Sequence, residues 1–83
     1  MSMVYLNGGF MPMREARISP MDRGFLFGDG IYEVIPSHKG QMVGFKPHLD
    51  RMLSGLDAVE IQVPLDHNAW RDIAKRLIAY NGG

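Results

Sequence analysis

The apolar residues at the start of the chain predict a β-hairpin. Residues 3–6 suit a short strand, and the Asn-Gly pair at positions 7–8 is a strong hairpin-turn signal. Residues 10–13 return as the partner strand, with Pro12 at an edge or a strand end because proline donates no ladder hydrogen bond. Residues 15–18 are a candidate for one further short strand.

The stretch 22–35 joins a glycine-rich loop to a run of β-branched and aromatic residues. Three glycines within the loop suggest backbone with positive φ or a close approach to a ligand. Residues 31–35 predict a strand that leaves the loop. Alternation with a period of two sets Tyr32 and Val34 on one face of that strand, and Glu33 with two isoleucines on the other.

Two amphipathic helices are predicted in the second half of the chain. The first spans residues 47–58, with Pro47 in its first turn and apolar residues at three- and four-residue spacing. Gly55 inside this helix is a candidate for a close packing contact. The second helix begins after Asp66, a good N-cap, and ends at a C-cap signal at positions 81–82.

The order of these elements predicts an α+β domain, a mostly antiparallel sheet of hairpins with two helices on one face. Its second hairpin pairs residues 31–35 with 41–45 around a turn at 39–40. We expect residues 1–83 to form a single domain, which buries about 60–65% of its extended surface. Seven methionines and 10% aromatic residues indicate apolar surface that meets something else, so we expect one lobe of a larger protein.

Composition excludes several classes of function. The net charge is zero and no basic run occurs, which argues against nucleic acid as a partner. The absence of cysteine excludes disulfides and thiolate metal sites and agrees with a reducing compartment. We see neither a signal peptide nor a membrane span, and expect a cytoplasmic protein. The three histidines lack the spacing of metal ligands, so no metal site is expected.

Four short motifs occur in a fixed order: Asp-Arg-Gly at 22–24, Phe-Gly-Asp-Gly at 27–30, Tyr-Glu-Val at 32–34 and His-x-x-Arg at 48–51. In this order and spacing they resemble the fold-type IV (class IV) pyridoxal-phosphate enzymes, and most closely the D-amino-acid aminotransferases. The resemblance covers about residues 4–61. It implies the N-terminal small domain of a homodimeric enzyme that uses pyridoxal 5′-phosphate to move an amino group between an amino acid and a 2-oxo acid. D-amino acids such as D-alanine are favoured.

The resemblance implies that Arg51 meets the phosphate of the cofactor. Arginine suits this role because its planar fork of donors matches phosphate, and a helix is a rigid mount. The alternative is a solvated arginine on the polar face of the helix. His48 lies one turn earlier on nearly the same face, where it either supports Arg51 and the phosphate or bonds to a nearby backbone group.

By the same resemblance, Tyr32 faces the substrate and helps to hold its α-carboxylate. Its phenol offers an apolar wall and one hydroxyl donor. The alternative is a half-buried strand tyrosine. Val34 would line the same pocket, and Phe27 would reach the site of its own subunit or of the other one.

Glu33 on an apolar strand face requires a partner or a raised pKa. Arg51, Arg23 and His48 are the candidate partners, and we interpret Glu33 as structural support for the site. The charged residues of the loop are expected to support the site by fixing the loop through backbone hydrogen bonds: Asp22, Arg23 and Asp29.

None of the three lysines, Lys39, Lys46 and Lys75, matches the Schiff-base lysine of the family. In the family that lysine, and the carboxylate beside the ring nitrogen, lie downstream in a second domain. We therefore predict no catalytic residue in this chain, inactivity and no cofactor binding by the chain alone, and the missing C-terminal domain as its natural packing partner. Three alternatives remain: an aminodeoxychorismate lyase, a branched-chain aminotransferase, or a non-catalytic domain that binds a partner.

Overall fold

A computed structural model describes residues 2–82. The predicted opening hairpin is present, with β1 at Met3–Leu6 and β2 at Gly9–Pro12, paired antiparallel so that Leu6 lies opposite Gly9. The turn residues Asn7 and Gly8 have φ of 50° and 88°, the left-handed conformation that a two-residue hairpin requires. Pro12 ends β2, as its missing N–H predicts.

The second hairpin is shorter than predicted. It consists of β3 at Ser37–His38 and β4 at Gln41–Met42, joined by a turn at positions 39–40. The prediction of a strand over residues 31–35 is wrong, because that stretch has no regular structure. β-branched residues favour a strand only where a partner strand supplies the ladder, and among the described residues none lies beside this stretch.

The chain turns into its first long helix earlier than the pattern indicated. β4 ends at Met42, and residues 43–44 bend with Gly44 at φ 67°. The predicted return strand over 41–45 is therefore wrong beyond its first two residues. Glycine adopts this left-handed conformation without the steric cost that a side chain would add.

Two short helical segments replace predicted irregular or extended structure. Residues 13–15 form a 3₁₀ turn, so a strand over 15–18 is wrong. Nη1 of Arg17 donates to the carbonyl oxygens of Arg14 and Ala16 at 2.7 and 2.9 Å. In a strand, such carbonyl oxygens would accept hydrogen bonds from a neighbouring strand instead. The glycine-rich loop contains α1 at Arg23–Phe27, which ends at Gly28 with φ 68°. Of the three loop glycines, this one alone has a positive φ.

The two long helices are confirmed. α2 spans Phe45–Ala58, two residues longer at its start than predicted, and Pro47 lies in its first turn. α3 spans His67–Tyr80, and Oδ1 of the N-cap Asp66 accepts a hydrogen bond from the backbone N–H of Ala69 at 2.7 Å. The predicted apolar faces of both helices turn inward at most of their positions.

The core is small and lies at the start of α2. Phe45 and Leu49 are buried, with 6% and 2% of their surface exposed. The guanidinium of Arg71 on α3 lies 4.4 Å above the ring of Phe45, which brings the two helices together at this point. The α+β class is confirmed, with two separate two-stranded antiparallel sheets. Whether residues 1–83 are a complete domain stays a prediction.

Candidate functional site

Glu33 and Arg51 form a bidentate ion pair at the centre of the candidate site. Nε and Nη2 of Arg51 donate to Oε2 and Oε1 of Glu33 at 2.6 and 2.7 Å. The Glu33 side chain is 10% exposed, whereas that of Arg51, on α2, is 69% exposed. Two of the three candidate partners of Glu33 thus prove correct, Arg51 here and His48 beside it. Arg23 is not a partner, because its Nε pairs with Asp29.

His48 lies against this ion pair. Its Nδ1 is 3.2 Å from Oε1 of Glu33 and 3.2 Å from Nη2 of Arg51. With a proton on Nδ1 the imidazole donates to Glu33, and without one it accepts from Arg51. The spacing of three residues on α2 produces this proximity, since residues one turn apart share a face. We refer to Glu33, His48 and Arg51 as the charged cluster.

The cluster holds Glu33 in its ionised form. The hydrogen bonds from Arg51 lower the pKa of Glu33 to about 2 against the opposing effect of partial burial, and bonds from His48 and the backbone N–H of Val34 act in the same direction. The same pairing raises the pKa of Arg51. A carboxylate with so low a pKa does not exchange protons near neutral pH, which favours structural support over acid–base chemistry for Glu33.

An open groove of about 430 Å³ runs beside Arg51. Its lining consists of Ile31, Tyr32, Glu33, Arg51, Met52 and Gly55. A smaller hollow of about 160 Å³ is lined by Pro47, His48 and Arg51. Arg51 therefore borders two concave surfaces. A cation beside an apolar wall suits a ligand that combines an anionic group with an apolar body.

The predicted substrate-facing residues are exposed, and only one of them lines the groove. Tyr32 is 91% exposed, Val34 67% and Phe27 64%. The alternative of a half-buried strand tyrosine is wrong, because Tyr32 lies outside any strand and is almost fully exposed. Val34 and Phe27 do not line the groove. The predicted alternation persists in part without a strand. Glu33 and Ile35 are partly buried while their neighbours are exposed, but Ile31, predicted on the same face, is also exposed.

The charged residues of the preceding loop shape α1. Oδ1 of Asp22 accepts from the backbone N–H of Gly24 at 2.7 Å and so caps the helix, as predicted for a loop-fixing acid. Nε of Arg23 donates to Oδ2 of Asp29 at 2.5 Å, a side-chain ion pair in place of the backbone hydrogen bonds expected of these two side chains. The Arg23 guanidinium also lies 4.5 Å above the ring of Phe27. These contacts stay within residues 22–29.

Sequence reasoning missed three residues that line the groove, Ile31, Met52 and Gly55. Helical spacing could have identified two of them. Met52 lies four residues after His48, and Gly55 lies four residues after Arg51, so each shares a helix face with a residue of the charged cluster. Within the described part of the chain, no group of three or more His, Cys, Asp or Glu side chains could hold a metal ion, and no helix is long and apolar enough to cross a membrane.

Comparison with known proteins relates the chain to aminotransferases. It is 31% identical over 98% of its length to a D-alanine aminotransferase of Staphylococcus haemolyticus, and 28% identical over 94% to one of Listeria monocytogenes. It is 32% identical over 94% of its length to a Methanocaldococcus jannaschii protein whose name proposes a branched-chain-amino-acid aminotransferase. No protein-family profile matches the chain.

These similarities confirm the resemblance that the four motifs indicated, to the class IV aminotransferases. The chain spans 27–29% of the length of these relatives, so the similarity concerns a limited part of each of them.

Proposed function

We propose that this chain is the N-terminal small domain of a pyridoxal-phosphate-dependent aminotransferase of class IV. In this proposal Arg51 binds the phosphate of the cofactor, and the groove beside it forms one wall of the substrate pocket. The observation that carries the proposal is the Glu33–Arg51 pair at the edge of that groove, in a chain similar to aminotransferases over nearly its whole length.

The residues present fit a phosphate group. Arg51 uses Nε and Nη2 for Glu33, while its Nη1 makes no hydrogen bond within residues 2–82. The side chain is 69% exposed, so Nη1 and its two protons are accessible to an anion. Hydrogen bonds between a guanidinium and phosphate oxygens are charge-assisted and short. When bound, pyridoxal phosphate supplies the electron sink for bond cleavage at the Cα of an amino acid.

Tyr32 is the proposed substrate contact. Its position on the groove and its exposure leave the phenol hydroxyl able to donate to a carboxylate. In this proposal Val34 and Phe27 are covered by other parts of the assembly, either the C-terminal domain or the second subunit of a homodimer. Their exposure leaves both side chains free to be covered in such an assembly.

The substrates in this proposal are an amino acid, with D-alanine favoured, and a 2-oxo acid. The names of the staphylococcal and listerial relatives support this preference. A branched-chain amino acid is the second candidate, because the M. jannaschii relative is just as similar. None of the relatives named above is an aminodeoxychorismate lyase, and that alternative stays a prediction.

The chain alone is proposed to be inactive. Transamination needs a lysine at the cofactor, and the groove lining contains none. Lys46 is engaged with Asp50 at 2.8 Å on the surface of α2. The cytoplasmic location expected from the sequence stays a prediction. So does the alternative of a non-catalytic partner-binding domain, which the exposure of Met21 and Tyr32 also suits.

The experiment uses the complete gene product that contains this chain, purified with pyridoxal phosphate. Amino transfer to 2-oxoglutarate is compared for D-alanine, L-leucine and L-alanine, next to the 83-residue chain assayed identically. We expect turnover of D-alanine by the complete product and none by the chain alone. Preferential turnover of L-leucine would select the branched-chain candidate. A complete product that does not bind pyridoxal phosphate would overturn the proposal.

A further inference from the structure

The carboxylate of Glu33 is held more firmly than a single ion pair requires. Its Oε1 accepts from the backbone N–H of Val34 at 3.1 Å and lies 3.2 Å from Nδ1 of His48, in addition to Nη2 of Arg51. Its Oε2 accepts from Nε of Arg51. The carboxylate is thus fixed by contacts from the backbone of the next residue, Val34, and from side chains of α2. Glu33 is thus mostly buried and held in one position, whereas the arginine that it contacts is mostly exposed.

We propose that Glu33 is a positioning residue that fixes the Arg51 guanidinium for anion binding. The inference rests on the proposed function, in which Arg51 binds the cofactor phosphate. Glu33 occupies one edge of the guanidinium through Nε and Nη2 and thereby sets the direction in which Nη1 points. The affinity of the site for phosphate then depends on Glu33, although Glu33 itself carries the same sign of charge as the ligand.

Glu33 has two opposite effects on the binding of an anion by Arg51. Its negative charge lowers the positive potential at Arg51, which weakens the attraction for an anion. Its two hydrogen bonds restrict a long, flexible side chain to one geometry, which strengthens binding. Arg51 is 69% exposed, so water solvates the face of the guanidinium that an anion would approach and reduces the effect of the Glu33 charge there. Solvation does not reduce the geometric restriction that the two hydrogen bonds impose. We therefore expect orientation to have the larger effect.

Two substitutions of Glu33 give different results depending on which effect dominates. Glu33→Gln keeps the length of the side chain and removes its charge, whereas Glu33→Asp keeps the charge and shortens the reach. If orientation dominates, both variants bind phosphate more weakly. If charge dominates, Glu33→Gln binds more tightly and Glu33→Asp is unchanged.

The measurement is the dissociation constant of pyridoxal 5′-phosphate and of pyridoxal for the complete gene product, followed by absorbance and protein fluorescence without substrate. The difference between the two ligands isolates the phosphate. We expect both Glu33 variants to raise the dissociation constant of pyridoxal 5′-phosphate roughly tenfold, the size associated with one lost hydrogen bond to a charged group. The dissociation constant of pyridoxal should not change. Asp50→Asn is the matched control, because it removes an ion-paired carboxylate from the neighbouring position on α2 and should change neither constant.

The outcomes distinguish the inference from the proposed function. If Arg51→Gln weakens the binding of pyridoxal phosphate but Glu33→Gln does not, the positioning role of Glu33 is overturned while Arg51 keeps its role in phosphate binding. If Arg51→Gln has no effect, the phosphate site itself is wrong and the positioning role falls with it. Equal weakening of pyridoxal and pyridoxal phosphate by the Glu33 variants would indicate a general structural defect and would also overturn the inference. Circular dichroism checks that each variant is folded.

Discussion

Ile31 packs directly against Gly55 of α2. A Cβ at position 55 would lie 3.5 Å from Cγ2 and 3.6 Å from Cδ1 of Ile31, which is ordinary van der Waals contact. The irregular stretch that carries Glu33 thus contacts the helix that carries Arg51 at this glycine. The close packing contact predicted at Gly55 is confirmed. Both Gly55 and Ile31 line the groove, so the contact lies in the groove itself.

This geometry predicts that Gly55→Ala stabilises the protein. The added methyl group meets Ile31 without a clash, and replacing glycine inside a helix lowers the entropy lost on folding. We expect the free energy of unfolding to rise by about 0.5–1 kcal/mol, measured by urea denaturation followed by circular dichroism. Gly55→Val, which adds branches beyond the Cβ, should lower stability instead. A loss of stability in Gly55→Ala would show that Ile31 cannot tolerate the contact.

The low pKa of Glu33 predicts a loss of stability at acid pH. Its pKa is about 2 in the folded protein and 4.5 as the ordinary value. The folded state therefore favours the ionised form, and this contribution is fully present above pH 4.5. It is lost progressively as the pH falls from 4.5 towards 2, because the unfolded chain then binds the proton first.

The measurement is the unfolding midpoint as a function of pH for the protein and for Glu33→Gln. We expect the difference between them to shrink across this acid range, since glutamine cannot titrate. Asp50 also has a lowered pKa, owing to Lys46, but it is present in both proteins and its effect cancels in the comparison. A difference that stays constant down to pH 2 would contradict the assignment.

The sequence predicted the helices better than the strands for a physical reason. The periodicity of α2 and the Asp66 cap are local features, and both appear in the structure. The β-branched run at 31–35 needed a partner strand that local sequence does not specify. The charged cluster likewise combines a local feature with one that depends on packing between distant parts of the chain. Helical spacing predicts that His48 lies near Arg51, whereas the choice of Glu33 as their common partner depends on how the irregular stretch packs against Gly55.

The N-cap of α3 provides a third prediction. Asp66→Ala removes the oxygen that accepts from the N–H of Ala69 and should lower the free energy of unfolding by about 1 kcal/mol. Asp66→Ser, which retains a capping oxygen, should recover most of this loss. Thermal unfolding followed by circular dichroism measures both variants. Equal losses in the two variants would mean that the cap contributes nothing through its hydrogen bond.

The end of α3 is joined to β1 through the amide of Asn81. Its Oδ1 accepts from the backbone N–H of Met3 at 2.8 Å, and its Nδ2 donates to the carbonyl oxygens of Met3 and Leu77, both at 2.9 Å. The side chain thus occupies the outer edge of β1 as a neighbouring strand would, and caps the helix as well. Only an amide combines the acceptor and donors that both tasks require.

Asn81→Asp separates these contributions. The carboxylate can still accept from the N–H of Met3 but cannot donate to the two carbonyl oxygens, and its negative charge faces the negative end of the α3 dipole. We expect Asn81→Asp to be at least as destabilising as Asn81→Ala. Each substitution should lower the free energy of unfolding by about 1–2 kcal/mol. Amide hydrogen exchange at Met3 gives the sharper measurement. Protection should persist in Asn81→Asp and disappear in Asn81→Ala, because the first variant alone keeps the acceptor. Loss of protection in both would indicate that β1 detaches from α3 once the donors are gone.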